Sequence, residues 1–399
     1  MRIAIDGRSC QNISQYRGIG TYSSNLMQTL MKVNGTHQLI PFGFRIREDP
    51  HGVHSSFSHL LDGQGFRITG RRSLLDQLTK HSVDLCHVME FVLPFANPDR
   101  TLATVYDLIP LIFSKAYLRW RTPRFTWTVL SYYRFLKKVR RIAAVSHHTK
   151  TDLIRFLNIP QDRIEVIYPG INPAFRPLPY TEEVQPVLRQ YGIPIPYVLY
   201  VGSCDYRKNI PGLMRAFVRF RTGKFKDFHL VLAGKLSEVH RKSLQDWAVA
   251  LGLTGCLHPV GYVPLGDLVA LYNGASMLVY PSLYEGFGFP PLEAMACGIP
   301  VVTSNNSSLP EVTDGCALLE DPCNPESLAE AMRRLVLDRG LRDTLIQKGL
   351  THIQKFNWDR TAQETLRVYE KVGNDRRSRE CASITAAAST LAYSAPLNG

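Results

Sequence analysis

Residues 284–300 read YEGFGFPPLEAMACGIP, and no other stretch of the chain constrains the fold so tightly. The apolar run 277–280 (MLVY) ahead of it predicts a strand, closed by the turn residues Pro281 and Ser282. Gly286 and Gly288 lack a Cβ, so the backbone there can approach a ligand closely. Pro290 and Pro291 suit the first turn of a helix, where the N–H that proline lacks would have no intrahelical partner. Glu293 is expected in that first turn, and Gly298 is placed to end the helix. A strand, a glycine turn and a helix start together present free amides and the positive end of a dipole, a combination suited to an anion. Glu285 and Glu293 flank it with carboxylates able to grip hydroxyls. As a mere capped strand-turn-helix, Gly-Phe-Gly-Phe-Pro-Pro would be poor helix-start material with nothing gained in return.

The same strand–helix alternation runs through two halves. Strands are expected at 2–6, 39–44, 85–88, 102–106, 142–145 and 164–167, and Gly18-Ile19-Gly20 precedes an amphipathic helix with Leu26, Leu30 and Val33 at helical spacing. Prolines 169, 173, 177, 179, 186, 194 and 196 mark a passage that reads as a stiff linker over 173–196. The pattern restarts with strands at 197–201, 228–233, 257–260, 277–280 and 300–303. A helix at 361–372 closes the fold, and the Ala/Ser/Thr-rich tail from Gly373 is expected to be disordered. Strands alternating with helices imply α/β architecture with parallel doubly wound sheets and ligands at the carboxyl ends of the strands. A chain of 399 residues is too long for one ordinary core. The expected division is 1–172, the linker, 197–358, and a helix within 359–372.

Hydrophobic content of 45% and charged content of 20% are those of a soluble protein. The chain opens directly on a strand, without an apolar signal segment, and no run approaches the roughly 20 apolar residues of a membrane span. Eight scattered cysteines with no C-x-x-C pair imply a reduced, cytoplasmic compartment. No D-x-D diad offers a divalent-ion site. The net charge of +13 is uneven: residues 1–180 hold 24 Lys+Arg against 12 Asp+Glu. No nucleic-acid recognition motif accompanies that excess.

The run 284–300 resembles the E-x7-E motif of retaining glycosyltransferases with the GT-B fold, the group 1 family that includes bacterial polysaccharide mannosyl- and glucosyltransferases. The resemblance extends over roughly residues 2–372 and implies two Rossmann-like domains facing a cleft, with the last helix crossing back to the first domain. It implies that Glu285 meets the donor sugar and Glu293 the nucleotide ribose, with Gly286, Phe287 and Gly288 offering amides. The donor would be a nucleoside-diphosphate sugar, GDP-mannose or a UDP-hexose, with no further cofactor. The acceptor would be a glycan or a lipid-linked glycan. The segment 202–209 (GSCDYRKN) resembles the family's G-x4-R-K-N, whose basic pair binds the donor diphosphate; here that pair is Arg207 and Lys208. Many relatives carry a further Arg where Ser203 stands.

Other signals are weaker. Gly18-Ile19-Gly20 is no dinucleotide fingerprint, because position 23 is Ser23. In the resembling family the corresponding loop, here with Gly20, faces the donor phosphates; a plain loop-to-helix turn is the alternative. Tyr106-Asp107 stands where relatives often show His-Asp, so Asp107 is a catalytic candidate or a helix cap. Ser146 reads as an N-cap, and His147 and His148 as rim or surface residues. Tyr262 either stacks on the nucleobase or packs. A non-catalytic sugar-nucleotide-binding or scaffold protein on the same fold is the alternative to an enzyme.

Residues 118–141 (LRWRTPRFTWTVLSYYRFLKKVRR) interleave Trp120, Phe125, Trp127, Tyr132, Tyr133 and Phe135 with eight basic residues and no acid. Such a helix can lie on anionic lipid, with Arg134, Lys137, Lys138, Arg140 and Arg141 as contacts. The cations could instead hold a lipid-linked acceptor, or the aromatics could pack on the first sheet.

Overall fold

Among the described residues every strand pairing is parallel, in a seven-stranded sheet ordered β3-β2-β1-β4-β5-β6-β7 and a six-stranded sheet ordered β10-β9-β8-β11-β12-β13. The computed structural model describes residues 1–11, 18–33, 35–44, 65–69, 71–90, 97–117 and 122–392, with side chains described for all but Phe44, Arg71 and 376–392. The chain forms two units. The first comprises Met1–Val145, Lys150–Gly170 and Trp358–Gly399; the second comprises Ser146–Thr149 and Ile171–Asn357.

In the first unit the strands are β1 (Arg2–Asp6), β2 (Gln38–Phe44), β3 (Phe66–Ile68), β4 (Leu85–Val88), β5 (Thr101–Val105), β6 (Arg141–Ala144) and β7 (Ile164–Val166). Its longer helices before the crossover to the second unit are α1 (Gly18–Val33), α2 (Arg71–Lys80), α3 (Pro123–Leu136) and α4 (His147–Leu157), the last beginning in the residues that group with the second unit. β4, β5 and the inner positions of β6 are buried throughout, as a sheet covered on both faces requires. Gly18 to Gly20 form the first turn of α1 rather than a loop ahead of it. First-turn N–H groups make no intrahelical bond, so glycine costs less there than in a helix interior.

The second unit holds α5 (Gln185–Gln190), β8 (Tyr197–Val201), α6 (Ile210–Phe220), β9 (His229–Ala233), α7 (Glu238–Ala250), β10 (Leu257–Gly261), α8 (Leu265–Gly274) and β11 (Met277–Tyr280). It continues with α9 (Phe289–Ala296), β12 (Val301–Ser304), α10 (Leu309–Thr313), β13 (Leu318–Glu320), α11 (Pro325–Leu337) and α12 (Arg339–His352).

Three expectations are corrected. The passage 173–196 is no bare linker. It belongs to the second unit and carries α5, because Val184 and Leu188 recur at helical spacing and are both buried. Gly274 lets α8 come close to it, since a Cβ there would stand 2.8 Å from Leu188 Cδ1. The final helix, α13 (Trp358–Ala392), runs well past Val372. An alanine-rich tail extends a helix already started, because alanine has the best helix propensity. Residues 393–399 lie outside the described residues.

The third correction concerns the basic aromatic segment, of which Trp120, Arg119 and Arg121 lie outside the described residues. Tyr132 and Tyr133 are buried, and Phe125 and Phe135 pack against the same core. Acids from elsewhere in the chain meet two of the cations. Asp375 lies 3.1 Å from Arg140 and 2.9 Å from Arg141, and Glu165 lies 3.8 Å from Arg141. What α3 exposes is a narrower face: Arg124, Trp127, Leu130, Arg134 and, just past its end, Lys137 and Lys138. No described helix is long and apolar enough to cross a membrane.

Candidate functional site

In the second sheet β8 and β11 are neighbours although their connections leave in opposite directions, so the crevice at their carboxyl ends is the topological switch point. Arg207 and Lys208 follow β8, and Glu285 follows β11. Local chemistry fixes each approach. Asp205 Oδ1 accepts from Arg207 N at 3.2 Å and caps the single turn Tyr206–Lys208. Asn209 then turns left-handed (φ 54°, ψ 40°), a conformation asparagine tolerates better than most residues. Its Oδ1 accepts from Gly212 N at 3.2 Å, starting α6.

After β11, Gly288 adopts φ +117°, where any other residue would be strained, and a Cβ would come 2.8 Å from Leu309 Cδ2. Helix α9 starts at Phe289 with Pro290 and Pro291 next in line, and Gly298 (φ +73°) comes after its end. Glu293 therefore sits in the second turn of α9, not the first, because the helix begins one residue ahead of the prolines.

The structure brings Arg207, Lys208 and Glu285 together. Glu285 Oε2 accepts from Arg207 Nη1 at 2.6 Å. Its Oε1 accepts from Lys208 Nζ at 2.7 Å, Ser282 Oγ at 2.6 Å and Tyr280 OH at 2.9 Å. Lys208 Nζ also donates to Tyr280 OH and lies 4.7 Å from that ring's centre. Burial alone would raise the Glu285 pKa, but Arg207 and Lys208 outweigh it and hold the carboxyl at about 2. Burial and then Arg207 bring Lys208 down to about 8, against the pull of Glu285. Two cations thus share one buried carboxylate, with the more exposed Asp205 only 3.8 Å from Arg207 Nε. Oε2 of Glu285 is the less crowded of its two oxygens and keeps capacity for a hydroxyl beside Arg207.

Glu293 is half-buried and accepts from Tyr272 OH at 2.7 Å. Burial pushes its pKa up to about 7, although Tyr272 and Lys208 pull the other way. Gly286, Phe287 and Gly288 are buried, and the Gly286 carbonyl accepts from Ser146 Oγ at 2.7 Å and Thr149 Oγ1 at 3.2 Å. Ser146 Oγ also accepts from Thr149 N at 3.0 Å, an N-cap bond for α4. The N–H groups of His147 and His148 donate to Glu311 at 2.7 and 3.0 Å. Tyr262, beyond β10, is 59% exposed.

Gly20 and Asp107 belong to the first unit. Gly20 is buried in the first turn of α1. Asp107 Oδ1 accepts from Ile109 N at 3.0 Å, two residues on, while the N-cap of the short helix Ile109–Ile112 is Leu108. Tyr106 OH lies 3.4 Å from Ser23 Oγ, with its ring edge-on to Tyr22. Among the described residues no group of three His, Cys, Asp or Glu could hold a metal ion.

The sequence points to the charged trio but not to Tyr272, Tyr280 or Ser282, which read as helix, strand and turn. It also leaves Ser307 and Ser308 unmarked; their signal is the hydroxyl-rich run TSNNSS that begins at the end of β12.

Residues 192–352 match the family described as glycosyl transferases group 1, and residues 16–175 match glycosyltransferase family 4. The chain is 30% identical over 312 residues to O-antigen chain mannosyltransferase B of Escherichia coli, covering 77% of this chain and 79% of that protein. It is 26% identical over 406 residues to the serotype-specific mannosyltransferase WbdA of Escherichia coli, across 93% of this chain but only 48% of WbdA. Anabaena Alr3699/HepE, solved in complex with UDP and glucose, shares the fold with a TM-score of 0.70 at 18% identity, covering 93% of this chain and 100% of that one.

Proposed function

The chain belongs to the group 1 glycosyltransferases, and from that premise we propose that it moves a hexose, mannose before others, from a nucleoside-diphosphate sugar to a glycan or lipid-linked acceptor in polysaccharide synthesis, with retention. The observation that carries the donor assignment is the shared carboxylate: Arg207 and Lys208 converge on Glu285 at the switch point of the second sheet. A leaving nucleoside diphosphate gains charge as the sugar departs, and a planar fork beside a point charge answers that need without a divalent ion. Glu285, held as an anion, orients the sugar hydroxyls. Glu293 takes the ribose, and exposed Tyr262 offers a ring for the base. The mannosyltransferase names of the two relatives support mannose.

In the proposed same-face reaction the acceptor oxygen forms its bond to the anomeric carbon on the side from which the diphosphate leaves. The bond from that carbon to the phosphate oxygen breaks, and the acceptor's hydroxyl proton passes to the departing phosphate oxygen. A panel of GDP- and UDP-sugars, scored by released nucleotide and by the anomeric configuration of the product, tests this. Release from no donor, or an inverted product, refutes it.

The exposed face of α3 supports peripheral attachment to the cytoplasmic side of a membrane. Trp127 and Leu130 are 58% and 42% exposed, and Arg124, Arg134, Lys137 and Lys138 lie along the same face. An apolar wedge among cations is what an interfacial helix presents to anionic headgroups. Each such cation contributes about 1 kcal/mol near the surface.

A further inference from the structure

Beyond Tyr280 the chain leaves the regular β11–β12 ladder, whose last paired residues are Tyr280 and Thr303. From there hydroxyls on 303–308 take over. Thr303 Oγ1 donates to the Tyr280 carbonyl at 2.9 Å, and Ser304 Oγ donates to that of Ser282 at 2.7 Å. Ser307 Oγ accepts from Glu285 N at 3.0 Å. Ser308 Oγ reaches two carbonyls, Glu285 at 3.0 Å and Phe287 at 2.6 Å. Thr303, Ser304 and Ser308 are fully buried. Ser307 holds φ +54°, a left-handed conformation that is unfavourable for serine and persists where its surroundings impose it.

We infer that Ser307 and Ser308 are positioning residues for sugar transfer, aiming the Glu285 carboxylate and the amides of Gly286 and Gly288 at the donor sugar; this rests on the donor site proposed above. The geometry works through the peptide plane. In a trans peptide the N–H points opposite to the carbonyl of the preceding residue. Anchoring the carbonyls of Glu285 and Phe287 on Ser308 therefore directs the N–H groups of Gly286 and Gly288 away from it. Ser307 holds the main chain of Glu285 itself, so its loss lets the carboxylate drift while Arg207 and Lys208 keep their places on the β8 side. A misplacement of about 1 Å is enough to cost roughly a hundredfold in rate.

The test uses the full chain with Ser307→Ala, Ser308→Ala and Ser308→Thr. Three readings are taken: melting temperature, the kcat and KM for sugar transfer, and calorimetric affinity for GDP and UDP beside GDP-mannose and UDP-glucose. Ser307→Ala, which removes the acceptor for Glu285 N and a long 3.4 Å donation to Asn306 Oδ1 from a half-buried site, should fold and lose about tenfold or more in kcat. Its affinity for the free diphosphate should stay within about threefold of wild type, so the gain in affinity contributed by the sugar disappears. Ser308→Thr should recover most of what Ser308→Ala loses. A folded Ser307→Ala with wild-type kcat overturns the inference, as do equal losses for diphosphate and nucleotide sugar. A wild-type chain that binds neither GDP nor UDP overturns the donor site and this inference with it. Wild-type binding with unimpaired variants overturns the positioning role alone.

Discussion

Replacing Glu285 by Gln removes the one negative charge that Arg207 and Lys208 share, and the cost can be worked from the structure. The Glu285 carboxyl is held at about 2 against an ordinary 4.5. At about 1.4 kcal/mol per pKa unit, ionised Glu285 contributes about 3 kcal/mol of stability. The folded pKa is the depressed one, so this stability is fully present above about pH 4.5 and is lost as pH falls towards 2. A second route gives a similar size: breaking a buried ion pair by removing one partner costs about 3–5 kcal/mol. The new amide would also turn an N–H2 towards donors, since four of them converge on the carboxylate and an amide has only one acceptor oxygen. For domains of this size about 2–4 °C is lost per kcal/mol, so Glu285→Gln should melt roughly 6–12 °C lower at pH 7. The assay is thermal unfolding from pH 7 down to pH 3, with and without nucleoside diphosphate. The gap should narrow below about pH 4.5, and added diphosphate should raise the variant's melting temperature more than the wild type's, because it supplies the missing charge. Adding Lys208→Met should recover part of the loss, because one unpaired cation goes with it. A variant melting within about 2 °C of wild type at pH 7 would show that the cations do not depend on Glu285.

Four further outcomes rest on the same geometry. Arg207→Ala and Lys208→Ala should each weaken calorimetric binding of nucleoside diphosphate far more than that of free nucleoside, and equal losses would contradict the diphosphate role; because Lys208 sits at about 8, wild-type affinity should begin to fall above that pH. Glu293→Gln should chiefly weaken nucleotide binding. Since the folded pKa of Glu293 is raised to about 7, the stability tied to its protonated form is full below about pH 4.5 and gone above 7, so denaturant unfolding at pH 5 and pH 8 should differ more in wild type than in the variant. Transfer should continue in excess chelator, and activity lost there but restored by magnesium or manganese would return the diphosphate to a metal. Arg134, Lys137 and Lys138 changed together to Gln, or Trp127→Ala, should weaken binding to anionic vesicles while sparing nucleotide affinity; wild-type protein that ignores such vesicles at low salt would leave the exposed face of α3 without a membrane role.

The sequence discloses most where a residue's reason is local. Gly288, Pro290, Pro291 and Gly298 announce a turn and a helix because each answers a backbone need within a few positions. The central strands are legible as apolar runs because both faces of a parallel sheet are covered. β3 and β13, of three residues each, escape that reading, although the equally short edge strand β7 does not. The helix inside the proline-rich passage is hidden because Pro186 near its start reads as a breaker unless α8 is known to lie against it. The basic segment looks unopposed because Asp375, which meets Arg140 and Arg141, lies 234 positions from Arg141 in the chain. Pairing of that kind leaves no local trace.

The two glutamates of the motif make the same point about chemistry. In the sequence they are equivalent acids eight positions apart. In the fold Glu285 faces Arg207 and Lys208 and is held at about 2, whereas Glu293 faces a phenol in a half-buried place and rises to about 7. Residue type gives both a carboxyl; the balance between burial and partners decides its charge. Glu285 remains an anion at any pH well above 2, so it can only accept, and it suits a sugar whose hydroxyls must be held in one orientation. Glu293 can accept or donate near neutrality, which suits a ribose whose hydroxyls offer both. The proposed division of labour between donor sugar and nucleotide is therefore an electrostatic consequence of the basic pair beyond β8 on one side and, on the other, of burial that the Tyr272 phenol of α8 and Lys208 only partly offset.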